Sequence, residues 1–315
     1  ALARLWTARR PDIVHIATEG PLGLSALQAA LRLKLPVSSD FRTNFHAYSR
    51  HYGVGWLHKP IMAYLRKFHN LAHCTTVPTE ALRRALAEYG FRNLTVLSRG
   101  VDTTLFDPAR RSEALRRSWG AAPEDLVVLH VGRLAPEKNL GALAAVHRVM
   151  RRVNPRVRLV LVGDGPARRW IEAQCPDAHF AGMRAGADLA AHYASGDLFV
   201  FPSLTETFGN VTPEAMASGL AVLAYDYAAA AALIRSGVNG LLAPFDAEPR
   251  LVEMAATLAR DPSPLPELGR RARETACAMG WDRIAEQVES VFAATINDAP
   301  LSRRLARLHA PAPAP

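Results

Sequence analysis

Two carboxylates frame a short polar loop in the second half of the chain. Glu206 and Glu214, with seven residues between them, stand in the run FPSLTETFGNVTPEAMASG at 201–219. Carboxylates repel phosphate but accept hydrogen bonds from hydroxyl groups. Successive backbone N–H groups between them lead into a helix start, where anions bind readily; they belong to Phe208, Gly209, Asn210 and Val211. The pattern predicts a sugar and a ribose on either side of a phosphate.

The elements that position these carboxylates follow from the same run. The apolar residues LFVFP at 198–202 predict a buried strand that ends before the loop. Thr212 is a favourable N-cap and Pro213 suits the first helical position, so we expect a helix to start there. Gly219 is expected to end that helix.

A carboxylate pair between an FPS strand and an EA-x-A-x-G helix resembles the retaining glycosyltransferases of family four, which have the GT-B fold. The runs TEGPLG, TNFHAYSRHYG and RGVDTTLF are similar to those of bacterial mannosyltransferases that use GDP-mannose and of glycolipid hexosyltransferases. Taken alone, Glu214 could simply complement a helix dipole, and Glu206 could be a solvated loop residue. The resemblance extends over nearly the whole chain, to about residue 296.

The run GRLAPEKN supplies a second part of the resemblance through Arg133 and Lys138. In the family this pair binds the diphosphate of a nucleotide sugar. Breaking the anomeric bond leaves negative charge on a phosphate oxygen, and fixed donors at such a site lower the barrier by ~3 kcal/mol each. The alternative is a pair of solvated loop cations.

The resemblance assigns the remaining donor contacts residue by residue. It implies that Glu206 binds the sugar hydroxyls and Glu214 the ribose, while the amides from Phe208 to Val211 lie near the phosphates. Gly132 belongs to the same donor site, and Met183 falls where family members contact the base through the backbone. The catalytic prediction is therefore Arg133, Lys138 and Glu206, with the other residues binding the donor.

The predicted reaction is a metal-independent transfer with retention of configuration. The sequence has no Asp-x-Asp pattern to hold a divalent ion, and Asp164 in its GDGP turn is typical of a backbone cap. No cofactor is expected, and the donor is GDP-mannose or, second to it, a UDP-hexose. Two carboxylates can also serve a glycosidase, but a glycosidase needs no cationic diphosphate site.

One position departs from the family pattern. Relatives carry a histidine in a Phe-His-Thr motif that meets the donor sugar, whereas here Arg42 stands between Phe41 and Thr43. Arg42 could bind a phosphate or a sugar hydroxyl, but it cannot titrate. A plain structural role is the alternative.

Alternation of strands and helices predicts an α/β fold with parallel, doubly wound sheets. The resemblance implies two Rossmann-like domains facing a cleft: an acceptor-side domain at 1–104 and a donor domain at 105–280. A crossover helix at 281–296 and a disordered tail at 297–315 complete the prediction. Relatives begin with a strand and a glycine-rich turn before this point, so we expect the first domain to be incomplete and the activity of this polypeptide to depend on what is missing.

The net charge of +9 is concentrated near the N-terminus. Residues 1–120 hold 18 Lys and Arg against 8 Asp and Glu. This basic region could meet an anionic membrane or a phosphorylated acceptor, or it could be an ordinary solvated surface. The aromatic and basic segment at 43–70 fits a membrane surface, or a core with only its cations in water. No nucleic-acid-binding module is recognisable, and we expect a cytoplasmic protein, associated with the cytoplasmic face of a membrane if the basic region binds lipid.

The preferred function is transfer of a hexose, mannose first, from a nucleotide sugar to a lipid or glycan acceptor. A non-catalytic nucleotide-sugar binder, or an inactive fragment, is the first alternative, because of Arg42 and the incomplete first domain. A sugar-nucleotide epimerase of the GT-B fold is the second. Binding without turnover would favour the first alternative, and a free epimerised sugar nucleotide the second.

Overall fold

A computed structural model describes residues 1–42 and 58–299. They form two compact units: the first unit is Ala1–Ser98 together with the chain from Asp282 onward, and the second unit is Arg99–Trp281. The divisions fall at 98/99 and 281/282, near the sequence-based boundaries at 104/105 and 280/281. The assignment of acceptor and donor sides to these parts stays a prediction.

The first unit contains a parallel sheet with strand order β1-β2-β3-β4. Its strands are β1 (Val14–Ile16), β2 (Val37–Asp40), β3 (Cys74–Val77) and β4 (Leu94–Val96). Its helices are α1 (Leu2–Ala8), α2 (Pro21–Arg32), α3 (His58–Leu71) and α4 (Glu80–Glu88). A fifth helix, α13 (Trp281–Asp298), comes from the chain that follows the second unit. Thr79 caps α4, because its Oγ1 accepts a hydrogen bond from the Leu82 N–H at 3.2 Å.

The second unit contains a parallel sheet with strand order β10-β9-β8-β5-β6-β7. Its strands are β5 (Leu126–Val131), β6 (Val157–Val162), β7 (His179–Gly182), β8 (Leu198–Phe201), β9 (Ala221–Tyr225) and β10 (Leu241–Ala243). Its helices are α5 (Glu113–Ser118), α6 (Leu140–Val153), α7 (Arg168–Gln174), α8 (Gly186–Ala194), α9 (Val211–Ala217), α10 (Ala228–Leu233), α11 (Glu248–Arg260) and α12 (Leu265–Cys277). The predicted parallel, doubly wound arrangement is confirmed.

The central strand β5 shows why these strands read as continuous apolar runs. Val128 packs into the core on one face of the sheet, whereas Val127 and Leu129 pack into the core on the other. Helices cover both faces, with Leu143 of α6 on the first side and Met216 of α9 on the second. A strand buried on both faces has no position for a solvated side chain, so the alternation of polar residues disappears.

The loops after β5 and β6 touch through their backbones. A Cβ at Gly163, which has φ +134°, would lie 2.0 Å from the Gly132 carbonyl oxygen. Leu134 N–H donates to the Asp164 carbonyl at 3.0 Å, and Ala167 N–H donates to the Leu134 carbonyl at 2.8 Å. Only glycine at position 163 permits this approach, which fixes the loop that carries Arg133.

The helix after β8 begins earlier than predicted. Asn210 is its N-cap and α9 runs from Val211, so the prediction that Thr212 caps the helix is wrong. Thr212 is buried and its N–H donates to the Gly209 carbonyl at 3.0 Å, which places it inside the first turn. Pro213 is tolerated there because first-turn N–H groups have no partner within the helix. The predicted end at Gly219, with φ +78°, is confirmed.

Two predictions fall partly outside the described residues. Most of the aromatic and basic segment lies at 43–57, and most of the predicted tail lies at 300–315. Helix α13 runs to Asp298, two residues beyond the predicted end of the crossover helix. Among the helices of the described ranges, none combines the length and apolarity that crossing a bilayer requires.

Candidate active site

The order of the second sheet reverses between β5 and β8, and the loops after these two strands carry the predicted donor residues. The loop after β5 ends in a 3₁₀ turn, Pro136–Lys138, and the loop after β8 carries Glu206. Lys138 Nζ forms an ion pair with Glu206 Oε1, and Leu204 N–H donates to the Glu137 carbonyl at 3.4 Å. In doubly wound sheets, ligands bind in the crevice at the carboxyl ends of the strands where the strand order reverses.

The Lys138–Glu206 ion pair is shielded from water, with side-chain exposures of 12 % and 13 %. Ser203 Oγ donates to the same Glu206 oxygen at 2.7 Å, and Tyr227 Oη donates to the Glu206 backbone carbonyl at 3.0 Å. Lys138 Nζ also lies 5.8 Å from the ring centroid of Phe201. Shielded charges attract more strongly than surface charges. Glu206 is therefore held in one orientation, and within the described ranges no donor contacts its Oε2.

His130 in β5 is a buried neighbour of this pair. Its Nδ1 lies 3.0 Å from the Val200 carbonyl, and its ring stacks on Phe201 with a centroid separation of 6.0 Å. Burial lowers the pKa of His130 to about 4; the hydrogen bond to Val200 opposes this shift, and the charge of Lys138 adds to it. Because a carbonyl only accepts, Nδ1 carries the proton of the neutral ring. His130 therefore adds no positive charge at neutral pH.

Glu214, in the first turn of α9, has a different environment from Glu206. The fully buried Tyr193 donates its hydroxyl to Glu214 Oε2 at 2.9 Å. Burial raises the pKa of Glu214 from 4.5 to about 7, although the Tyr193 hydrogen bond lowers it. The carboxyl is therefore close to half protonated at neutral pH in the unliganded protein.

Replacing Glu214 with glutamine is expected to stabilise the protein above neutral pH. Folding raises the pKa of Glu214, so its contribution to stability is full below pH 4.5 and is lost as the pH rises through about 7. We expect the free energy of unfolding of Glu214→Gln to exceed that of the wild type by about 2 kcal/mol at about pH 8. The difference should shrink towards about pH 5. Urea unfolding across this range measures it. Glu253→Gln, which changes an exposed carboxylate on α11, is the control. The same dependence of unfolding free energy on pH for wild type and Glu214→Gln would contradict the prediction.

Gly132, Arg133 and Met183 line one cavity of about 440 Å³ at the carboxyl ends of β5, β6 and β7. Arg133 is 57 % exposed, and its Nη1 lies 3.7 Å from Glu137 Oε1. Met183 is also exposed, and Arg184 completes the cavity on the same side. The structure thus brings these predicted residues together around an open space, whereas Lys138 and Glu206 contact each other directly.

Four successive amides between the carboxylates lead into α9. Within the described ranges the N–H groups of Phe208, Gly209, Asn210 and Val211 donate to no acceptor, although the Phe208 side chain is buried. Gly209 has φ +92°, which turns the chain sharply between Glu206 and α9. Successive unpaired N–H groups form a concave site suited to an anion.

Arg42 belongs to the first unit, at the carboxyl end of β2. Its Nε forms an ion pair of 2.5 Å with Asp40 Oδ2, and its side chain is 47 % exposed. Its role towards a ligand stays a prediction.

Sequence reasoning missed the groups that orient the two carboxylates. Ser203 lies two residues after the end of β8, so its place in the FPS run could have indicated it. Tyr193 and Tyr227 had no such signal, because each donates to a residue in another element. Asp164, predicted as a backbone cap, accepts a hydrogen bond from the Gly165 N–H at 2.7 Å.

Comparisons with known proteins show the family of the chain. Residues 125–261 match the family model described as Glycosyl transferases group 1, and residues 1–105 match the one described as Glycosyltransferase Family 4. A GDP-mannose-dependent alpha-mannosyltransferase of Mycobacterium tuberculosis is 35 % identical over 279 residues, covering 88 % of this chain and 71 % of the relative. The chain belongs to the group 1 glycosyltransferases. The predicted family and enzyme class are confirmed.

The chain is also similar to a relative that is named for a different sugar. Sulfoquinovosyl transferase SQD2 of Arabidopsis thaliana is 34 % identical over 282 residues, covering 86 % of this chain and 54 % of the relative. Among solved structures, Anabaena HepE in complex with UDP and glucose superposes with a TM-score of 0.77 at 23 % identity, covering 93 % of this chain and 81 % of that chain. Two Rossmann-like domains of the GT-B type are thereby confirmed.

Metal-ligating residues do not converge in the part of the chain that the structure describes. Within residues 1–42 and 58–299, no three His, Cys, Asp or Glu residues lie close enough together to hold a metal ion. Metal-independent transfer stays a prediction.

Proposed function

We propose that this enzyme transfers mannose from GDP-mannose to a hydroxyl of a lipid or glycan acceptor. The observation that carries the proposal is the Lys138–Glu206 ion pair at the reversal of the second sheet, beside a cavity lined by Arg133. The GDP-mannose-dependent relatives support mannose and guanine. A UDP-hexose is the second candidate donor, because the similar HepE structures contain UDP and UDP-glucose.

Each donor group has a proposed partner. Lys138 and Arg133 bind the diphosphate, and the free Oε2 of Glu206 accepts hydrogen bonds from the sugar hydroxyls. Lys138 has three N–H donors, so it can contact a phosphate oxygen while it keeps its ion pair with Glu206. The pair therefore couples the position of the sugar to that of the diphosphate.

The nucleoside is proposed to lie along the neighbouring loops. Glu214 accepts hydrogen bonds from the ribose hydroxyls, and the unpaired amides from Phe208 to Val211 meet phosphate oxygens. The base enters the cavity beside Gly132 and contacts the backbone at Met183. Support for these roles comes from the carboxylates and amides that the described residues leave open to a ligand.

The proposed reaction retains the configuration at the anomeric carbon. The acceptor oxygen forms its bond to that carbon on the face from which the diphosphate leaves, and the bond from carbon to phosphate oxygen breaks. The acceptor proton passes to a phosphate oxygen, so no protein base and no metal ion is required. Lys138 and Arg133 stabilise the charge that develops on the leaving diphosphate.

The proposed function is tested by incubating the protein with GDP-mannose and a detergent extract of bacterial lipids and glycans in the presence of EDTA. We expect GDP release and an α-linked mannosyl product, which NMR identifies from the one-bond coupling between the anomeric carbon and its hydrogen. A UDP-hexose in place of GDP-mannose distinguishes the two candidate donors. The proposal is wrong if the protein neither binds nor turns over any GDP- or UDP-sugar.

The first unit is proposed to be the acceptor side, and its basic surface to meet anionic lipid on the cytoplasmic face of a membrane. Leu5 on α1 and Leu22 on α2 are exposed apolar side chains, and Lys59 and Lys67 on α3 are exposed cations. Exposed apolar groups and cations on the same unit favour contact with an anionic interface. We expect flotation with vesicles that contain phosphatidylglycerol and not with neutral vesicles. Equal recovery with both would contradict this contact, and no binding of nucleic acid is expected.

A further inference from the structure

The carboxyl end of the sheet in the first unit carries a second polar cluster, formed by Glu19, Asp40, Arg42 and Tyr64. Glu19 lies in the turn between β1 and α2, and Asp40 is the last residue of β2. The two strands are parallel neighbours, so both residues stand at the same edge. The carboxyl ends of strands are where doubly wound sheets bind ligands.

The carboxylates of Asp40 and Glu19 are both buried, and within residues 1–42 and 58–299 other side chains pair with Asp40 but not with Glu19. Asp40 Oδ1 accepts a hydrogen bond from Thr76 Oγ1 at 3.1 Å, and Oδ2 forms the ion pair with Arg42. Glu19 is 6 % exposed, and within the described ranges the one hydrogen bond that reaches its carboxylate comes from its own backbone N–H. A carboxylate has about four acceptor positions, so most of the hydrogen-bonding capacity of Glu19 is unused.

The backbone around Glu19 is held rigidly. Tyr64 Oη donates to the Glu19 backbone carbonyl at 2.5 Å. A Cβ at Gly23 would lie 2.0 Å from the Thr18 carbonyl oxygen, so α2 packs tightly against the turn. Burying a carboxylate without partners is costly, and burial followed by the nearby Asp40 charge raises the pKa of Glu19. Among the residues that the structure describes, Glu19 is thus a buried acid with few hydrogen-bond partners on a fixed backbone.

The chemistry of the cluster selects the kind of group that it can bind. An anion would be repelled by Glu19 and Asp40, whereas Arg42 already neutralises Asp40, so that a cation would find a single carboxylate, Glu19, to bind. Hydroxyl groups satisfy Glu19 by donating hydrogen bonds and can accept from the terminal nitrogens of Arg42, which have no recorded partner in the described ranges. A neutral polyol can therefore hydrogen-bond to both Glu19 and Arg42.

We propose that Glu19, supported by the Asp40–Arg42 pair, binds the hydroxyl groups of a neutral sugar or polyol ring of the acceptor. This inference rests on the proposed function, since it assigns the acceptor of that transfer to the first unit. Glu19 orients the acceptor ring through its carboxylate, and the proposal assigns it no contact with the nucleotide.

The test uses methyl α-mannopyranoside and myo-inositol as probes, with saturation-transfer NMR on the full chain. We expect at least one probe to receive saturation from the wild type, and Glu19→Gln to reduce it at least about fivefold, because glutamine replaces an acceptor oxygen with a donor. Glu80→Gln is the matched control: it changes a carboxylate of the same unit that pairs with Arg83 and Arg84 on α4. This control should keep the wild-type signal.

Two further measurements separate the possible outcomes. A structural carboxylate would lose stability on substitution, whereas we expect the melting temperature of Glu19→Gln to be unchanged or higher. Calorimetry should give the same GDP affinity for wild type and Glu19→Gln. Absence of probe binding, equal probe binding by the variant, or a clearly lower melting temperature would overturn the proposal for Glu19. Failure of the wild type to bind GDP would instead count against the proposed function.

Discussion

Replacing Lys138 with alanine is expected to lower kcat for mannose transfer by at least about 100-fold, the usual effect of losing one preorganised donor to a developing oxyanion. The ammonium of Lys138 is held by Glu206 and is almost completely shielded from water. Water therefore screens its charge only weakly from a diphosphate bound beside it. Steady-state kinetics with GDP-mannose measure the loss, and a decrease below about threefold would rule out diphosphate stabilisation by Lys138.

Stability measurements separate this effect from damage to the fold. Lys138→Ala also leaves a mostly buried Glu206 carboxylate without its cation, which typically costs about 3 kcal/mol. Adding Glu206→Gln removes that unpaired charge, so the double variant should regain most of the stability but none of the transfer. Arg250→Ala removes an exposed, ion-paired cation from the same unit, and it should leave kcat within about twofold of the wild type.

Replacing Gly163 with alanine is expected to destabilise the second unit by about 4 kcal/mol, because positive-φ strain adds to overpacking. The added methyl group would lie 2.0 Å from the Gly132 carbonyl oxygen, at a backbone φ of +134°. Neither backbone can yield without moving the loop that carries Arg133. We expect the melting temperature to fall by about 10 °C, and GDP binding to weaken because Gly132 and Gly163 line the same cavity.

Gly237 provides the matched control for Gly163. It also has a positive φ, +81°, but no atom lies within 4 Å of a Cβ placed there. Gly237→Ala should therefore cost only the backbone strain, about 1 kcal/mol, and leave GDP binding unchanged. Equal destabilisation by the two substitutions would show that contact between the loops is not what requires Gly163.

The strands and their loops were predictable from the sequence because buried parallel strands produce uninterrupted apolar runs. The run LVVLHV before Gly132 and the run LFVF before Ser203 correspond to β5 and β8. Turn chemistry also indicates a helix start where one residue has no competitor, as Thr79 does at the start of α4. It failed at α9, where Asn210 and Thr212 are both acceptable caps. In the structure Thr212 is buried inside the first turn and Asn210 is the cap. Burial depends on the folded chain and cannot be inferred from these residues alone.

The contacts within the candidate site were not predictable from the sequence. Lys138 and Glu206 were assigned to different parts of the donor, and their ion pair depends on the sheet order that brings β5 next to β8. The hydrogen bond from Tyr193 to Glu214 likewise depends on how α8 packs beside α9. Residue types predict what a group can bind, whereas its partners and its pKa follow from long-range packing.

The first unit is assembled from both ends of the described chain, whereas the second unit is one continuous segment, Arg99–Trp281. On the ribosome, every residue of the second unit is therefore made before α13 emerges. Phe292 of α13, whose ring lies 5.3 Å from that of His15, is made only after the whole second unit. Because domains fold as their residues become available, the second unit can complete its sheet while the first still lacks a helix. A chain released just after residue 281 would thus hold the whole second unit, but its first unit would lack α13.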